Sequence, residues 1–319
     1  MRDVTVGRWA AASAAILFGT AFVAVSFQLR AFEPVTAAMW RGGAGSALLV
    51  VPLLVARDGS RGTPNSATAE STYWTRLARI AVLGLLGGPI FILGEILAVS
   101  EIGASVSGFL VGLYAVLAAV IAPFILSERL TVNAMAGLLL ALVGTVLLSQ
   151  VTNETISIPG VAAGLIAASA YSFFLVLGRR WSAPYGIAAR TIALAAAILT
   201  AAVLAGWLIA TDPGALLPTE YRLDSLMAVA WLGLVMVVGQ TLVMASVRRI
   251  PSQHSAAFLL LNPITAAVTA TLILDERMNG VQVIGAILVL AGMAFASGAF
   301  GRGSESGDSP DEAPQAQAS

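Results

Sequence analysis

Three charged residues sit where the surrounding sequence should exclude them. Arg41 and Arg190 each lie inside a long apolar run, and Glu95 is the acidic residue placed well inside another. Charges in such segments are costly and rare, so each is a candidate for gating, ion coupling or holding an anionic group. A structural role is also open to them. Each arginine can pair with a carboxylate or helix-end carbonyls, or reach the interface along its long side chain. Arg41 follows Pro34 by seven residues, about 10 Å in at 1.5 Å per residue. Arg190 is expected at the equivalent depth from the opposite side. Glu95 lies on the same side as Arg41, five residues before Ser100, so the two can meet as an ion pair. Alternatively Glu95 takes a proton, because burial disfavours the ionised carboxyl. It would then be the intramembrane carrier of a proton-coupled cycle.

Uncharged polar residues add a second set. Asn262-Pro263 falls near the middle of an apolar run. Proline has no N–H to give, so a carbonyl one turn earlier is freed. A kink there would set the Asn262 amide beside open backbone. Tyr114 is the counterpart of Asn262 in the repeat described below. Gln240, Thr20, Tyr171 and Ser172 are further cavity-lining candidates, and Trp40, next to Arg41, is the tryptophan that faces substrate. For each, the plainer alternative is a hydrogen bond between helices.

The remaining inventory excludes more than it offers. There is no cysteine, hence no disulfide, thiol nucleophile or cysteine-held metal. The single histidine, His254, leaves little room for acid–base or metal chemistry, and all 17 basic residues are arginine. Without lysine there is no Gly-x-x-x-x-Gly-Lys loop to hold ATP. No catalytic site, metal or cofactor is expected, so an intramembrane enzyme is disfavoured. Net charge is zero, which gives no pull toward nucleic acid.

The elements that must position these residues are membrane helices. The chain is 58% hydrophobic and 11% charged, with mean hydropathy +0.89, where soluble domains carry about 25% charge. Runs of the length a bilayer needs, about 20 residues, fall at 9–27, 34–55, 77–99, 103–126, 131–149, 157–178, 187–209, 225–246, 253–274 and 280–300. The first run is too long for a cleaved signal segment. With a cytoplasmic N-terminus, 12 arginines fall inside and Arg30, Arg222 and Arg277 outside. That asymmetry orients the chain with both termini in the cytoplasm of the cell. The segment 301–319, with Glu305, Asp308, Asp311 and Glu312, reads as a disordered acidic tail.

The chain also repeats itself. Leu113 to Gly144 returns 148 residues later as Leu261 to Gly292, and Leu126-Ser-Glu-Arg-Leu meets Leu274-Asp-Glu-Arg-Met. Phe18-Gly-Thr-Ala-Phe matches Ala170-Tyr-Ser-Phe-Phe, and Arg41 matches Arg190. Each copy holds an odd number of runs, five, so the two enter the membrane upside down to one another. Inverted repeats of this kind underlie alternating access in several transporter folds.

On these residues the chain resembles the drug/metabolite transporter superfamily, as a protein with two EamA-type domains. Leu17-Phe-Gly-Thr-Ala-Phe-Val, Ile102-Gly-Ala-Ser and Leu261-Asn-Pro carry the likeness, with the two Glu-Arg turns. The resemblance implies an all-α fold of ten transmembrane helices, as inverted five-helix repeats at 1–150 and 151–300 around a central cavity. It implies a secondary transporter, an exporter of a small organic solute such as an amino acid, metabolite or drug. Its partners are then that solute and membrane lipid. A passive facilitator or channel is the alternative. The family often has proline where this chain has Ala115, which puts a symmetric kink in the fourth and ninth runs in doubt.

Overall fold

Backbone in lipid has no water to bond with, so an apolar run satisfies its N–H and C=O groups by coiling. Every regular element among the described residues is helical. The computed structural model describes residues 2–55, 69–126, 131–149, 157–182, 184–274 and 279–296. The Glu-Arg turns at 127–130 and 275–278, and the segment 301–319, lie outside the described residues. The helices are α1 (Arg2–Gln28), α2 (Pro34–Val55), α3 (Ala69–Leu85), α4 (Phe91–Gly112), α5 (Tyr114–Leu126) and α6 (Val132–Ser149). The second half holds α7 (Ile158–Ser182), α8 (Ala189–Thr211), α9 (Leu223–Val247), α10 (Ser252–Leu259), α11 (Leu261–Leu274) and α12 (Gly280–Ala296). Seven helical stretches among the described residues are long and apolar enough to cross a membrane; α6 and α12 are apolar but shorter. Large apolar side chains point outward, including Phe124, Leu272 and Trp207. Lipid, not water, is the solvent that accepts such a surface.

Four helix breaks shape the centre. α3 passes into α4 through a π-helical turn, Leu86–Ile90, where Gly88 leaves helical geometry and Pro89 lacks an N–H. Such turns recur at functional positions in helices. Within α4, Gly103 has φ +75°, a conformation that side chains with a Cβ rarely adopt. The other two breaks match each other. α4 gives way to α5 at Leu113, and α10 gives way to α11 at Leu260. The doubt raised by Ala115 is therefore corrected: both runs break within one residue of equivalent places, and the first does so without proline. Pro263 keeps its expected role. It lies in the first turn of α11, just past the break at Leu260, and its missing N–H leaves the carbonyl one turn earlier, that of Leu259, without a helical donor.

Pairing between the halves is extensive. α6 packs on α12, α2 on α8, α1 on α9 and α4 on α7, while α1 meets α11 and α5 meets α7. The α6–α12 contact is made by bare backbone. A Cβ on Gly137 would run into the Gly292 carbonyl and the Ala296 amide, and one on Gly144 into the Gly285 carbonyl. The repeat pairs Gly137 with Gly285 and Gly144 with Gly292, so each glycine touches the partner of the other.

Candidate functional site

α2 carries Arg41 inward from its start at Pro34, and α4 brings Glu95 to the same level. Arg41 Nη1 donates to Glu95 Oε2 at 3.0 Å, with both side chains at least 96% buried. The ion pair read from their spacing is formed. Taking two charges out of water is repaid only by close geometry, and either residue alone would be stranded here.

Beside the pair stands Tyr171 of α7, itself fully buried. It interacts electrostatically with Glu95, Arg41 and Tyr114. Its ring lies 4.3 Å from that of Phe91, 5.0 Å from Tyr114, 5.2 Å from Phe174 and 6.1 Å from Phe18. Rings at such separations attract through their edges and offset faces. Tyr114 opens α5, and its hydroxyl donates across the bundle to the Leu259 carbonyl at 3.4 Å. That carbonyl ends α10, and its helical donor would be the N–H of residue 263, which proline lacks. Asn262 stands next to the Tyr114 hydroxyl. Ser172 Oγ lies 3.0 Å from the Tyr114 carbonyl and 2.6 Å from that of Ala168, serving one at a time with its single proton. Tyr114 and Asn262, matched in sequence by the repeat, thus meet where the two broken runs cross.

Three buried atoms in this cluster have no hydrogen-bond partner among the described residues: Arg41 Nε, the Tyr171 hydroxyl and Asn262 Oδ1. Most buried polar groups in folded proteins are paired, and these three open ones in a single cluster make it the candidate site; Gln28 Oε1, Arg79 Nη1, Ser182 Oγ and Gln240 Oε1 are open as well.

In the second half, Gln240 of α9 is buried, and its Nε2 donates to the Gly87 carbonyl in the π-helical turn. Its Oε1 is unpartnered. Gly239-Gln240-Thr-Leu echoes Gly94-Glu95-Ile-Leu, so Gln240 occupies the place that Glu95 holds in the first half. Arg190 does not match Arg41 in depth. It lies in the first turn of α8 and is half-buried. The shift that pairs Arg190 with Arg41 would start α8 at 183, yet it starts at Ala189, and the late start leaves Arg190 near the helix mouth.

Two expected residues stand apart from the cluster. Thr20 donates to the Leu17 carbonyl and accepts from Trp231 Nε1 at 2.9 Å, on the bundle's flank. Trp40 donates to the Leu216 carbonyl at 2.9 Å and packs edge-on against Phe32. It belongs to a strap formed by the 3-10 turn Pro213–Leu216 and the chain after it. Thr36 donates to Ala215 in that strap, and the backbone N–H of Thr219 donates back to Ala31. The π-helical turn, the aromatic rings around Tyr171 and buried Gln28, which donates to the Ala37 carbonyl at 2.8 Å, are additions from the structure. Gly87-Gly88-Pro89 within an apolar run was the available signal for the first.

The two ends of the bundle differ. Between α1, α2 and α4 a vestibule of about 560 Å³ opens at one end, lined by Ser26, Phe32, Glu33, Val99, Ser100 and Gly103 among others. Val99 lies one turn from Glu95. At the other end arginines fasten helix ends together. Arg179 donates to Val247 and Ile250, Arg180 to Ile125, Arg76 to Gly186 and Arg248 to Ile187, all backbone carbonyls.

The EamA-like transporter family matches residues 5–150 and 158–298, nearly the whole chain. The chain belongs to that family. It is a membrane transporter of the drug/metabolite transporter superfamily, with two EamA domains. No curated protein matches this EamA transporter. Among solved structures, one titled only as the crystal structure of a protein has a TM-score of 0.72 at 20% identity, covering 91% of this chain and 98% of that one. That likeness speaks for the fold alone.

Proposed function

We propose that this EamA transporter is a secondary transporter that exports a small organic solute, such as an amino acid, metabolite or drug, by alternating access. One observation carries the reading. The buried polar cluster lies where the broken runs of the two halves cross, so both halves hold the solute. Tyr114, Asn262, Tyr171, Ser172 and Pro263 form its middle, with Arg41 and Glu95 toward the vestibule and Gln240 and Arg190 toward the arginine-fastened end. One open end and one fastened end suit a protein that exposes a central site to one side at a time.

The reading includes ten spans, in two five-span repeats at 1–150 and 151–300 of opposite insertion, and an acidic tail at 301–319. The swapped glycine contacts of α6 and α12 support the inversion, since self-complementary contacts of this kind arise about a two-fold axis. The arginine asymmetry supports a cell-membrane protein with both termini in the cytoplasm. The vestibule then faces outward. Lipid surrounds the bundle.

Counterflow in proteoliposomes tests the mechanism. Unlabelled solute inside the vesicles should accelerate entry of the labelled solute from outside. A rate independent of internal solute would mean a passive pore. Orientation is tested by single cysteines placed at Ser66, Thr152 and Asp308 of this cysteine-free chain. An impermeant thiol reagent on intact cells should label only the one at Thr152; labelling at Ser66 would invert the topology.

A further inference from the structure

Resting on the transporter reading, we infer that the central cluster takes the carboxylate of a small aromatic or apolar organic acid, and that Glu95 takes up a proton as the acid binds. The donor set comes first. Arg41 spends Nη1 on Glu95 and keeps Nε–H buried and unpartnered. The Tyr171 hydroxyl is likewise buried and unpartnered, within electrostatic reach of Arg41. A carboxylate has two oxygens, each able to accept from one of these donors, and a guanidinium is the side chain best shaped to receive it. The walls come second. Phe18, Phe91, Phe174 and Tyr114 surround Tyr171, so the body of the ligand meets aromatic rings. Asn262 Oδ1 remains as an open acceptor at the far edge, where a donor substituent on the acid finds a partner.

Charge balance supplies the second clause. Arg41 and Glu95 together are neutral. A second carboxylate on the same guanidinium leaves one negative charge in excess, buried among rings. Two carboxylates sharing one buried site do not both stay ionised. A proton from the vestibule, bound to a Glu95 oxygen, restores neutrality: carboxylate, guanidinium and carboxylic acid sum to zero. Among the described residues, the elements packed on α4 offer no other buried carboxylate. α2 contributes Arg41, and α7 contributes Tyr171 with Arg179 and Arg180 in its last turn; Tyr114 follows α4 in the chain, while Glu101 of α4 and Glu33 of the vestibule are exposed, outside the buried cluster. α6, α11 and the π-helical turn contain no ionisable residue, and α1 carries its own only near its N-terminal end. Glu95 is therefore the group that takes the proton.

The probes are phenylacetate and its uncharged isostere phenylacetamide, titrated calorimetrically into the purified full chain. Buffers of two different ionisation enthalpies are used between about pH 6 and pH 8, where the ligand carboxylate stays ionised. Expected are uptake of about one proton per phenylacetate and an affinity that falls about tenfold for each pH unit of rise. Glu95→Gln imitates the protonated carboxyl, so it should bind phenylacetate with no proton uptake and no pH slope. Tyr171→Phe should weaken binding about tenfold and keep the slope, as the loss of one hydrogen bond to a charged group. A pH-independent affinity in the parent chain, a retained slope in Glu95→Gln, phenylacetamide bound as tightly as phenylacetate, or no phenylacetate binding at all would each overturn the inference. Counterflow keeps the two readings apart. Trans-stimulation by some other solute without phenylacetate binding would sink the acid site and leave the transporter. Proton-linked phenylacetate binding without any trans-stimulation would do the reverse.

Discussion

The two halves of this EamA transporter share a frame and differ in charge. α6 meets α12 through mutually exchanged glycines, and both central runs break within one residue of matching positions. On that frame the first half places a buried Arg41–Glu95 pair. The second places Gln240 where the carboxylate would be, and leaves its arginine at a helix mouth. The frame depends on close backbone approach, which both halves must keep. The buried charge depends on side chains, and among the described residues only the first half buries charged ones. A symmetric scaffold therefore holds an asymmetric site.

The sharpest way to break this comparison is a mutant cycle on the pair. Arg41→Gln and Glu95→Gln should each cost about 3–5 kcal/mol, since either leaves a buried charge without its partner. The double variant should regain part of that loss in thermal unfolding. Strictly additive losses would mean the pair is not coupled, and the asymmetry would lose its energetic meaning.

Next in size is the frame itself. Gly137→Leu should destabilise by about 1–3 kcal/mol through overpacking, because its new side chain meets Gly292 and Ala296 backbone. Gly43→Ala is the control. Nothing lies within 4 Å of its added methyl group, and it should be neutral or stabilising by up to about 1 kcal/mol from helix propensity. Equal losses at both would show that the glycine contact is not special.

Gln240→Leu should cost about 1–3 kcal/mol, since the Gly87 carbonyl loses its buried donor. The smallest effect is expected at Arg190. Arg190→Gln should shift stability by less than about 1 kcal/mol, as partly exposed charges do. A loss at Arg190 as large as that at Arg41 would restore charge symmetry between the halves and refute the contrast.

Much of the site was legible in sequence for a specific reason. A charge in an apolar run has few possible partners, so Arg41 and Glu95 pointed to each other. Tyr114 and Asn262 were linked by the shift of the repeat. The positions that sequence misplaced share a different cause. Helices that are apolar all round give no polar stripe to fix their rotation, so the outward turn of Thr20 could not be read. Trp40 is held by Leu216, far away in the chain, and the length of the α7–α8 connection, not the repeat, sets the depth of Arg190. The break at Leu260 shows that the end of a helix can fall before the proline that advertises it.

The glycine contact between α6 and α12 bears on ancestry. A surface complementary to itself needs only one gene, because two copies of the same half can meet through it. In that state every substitution appears twice, so a glutamate at the position of Glu95 would be mirrored by a second on the other side. Joining the halves in one chain releases each to change alone. Glutamate at 95 and glutamine at 240 are a difference that one half paired with a copy of itself could not hold.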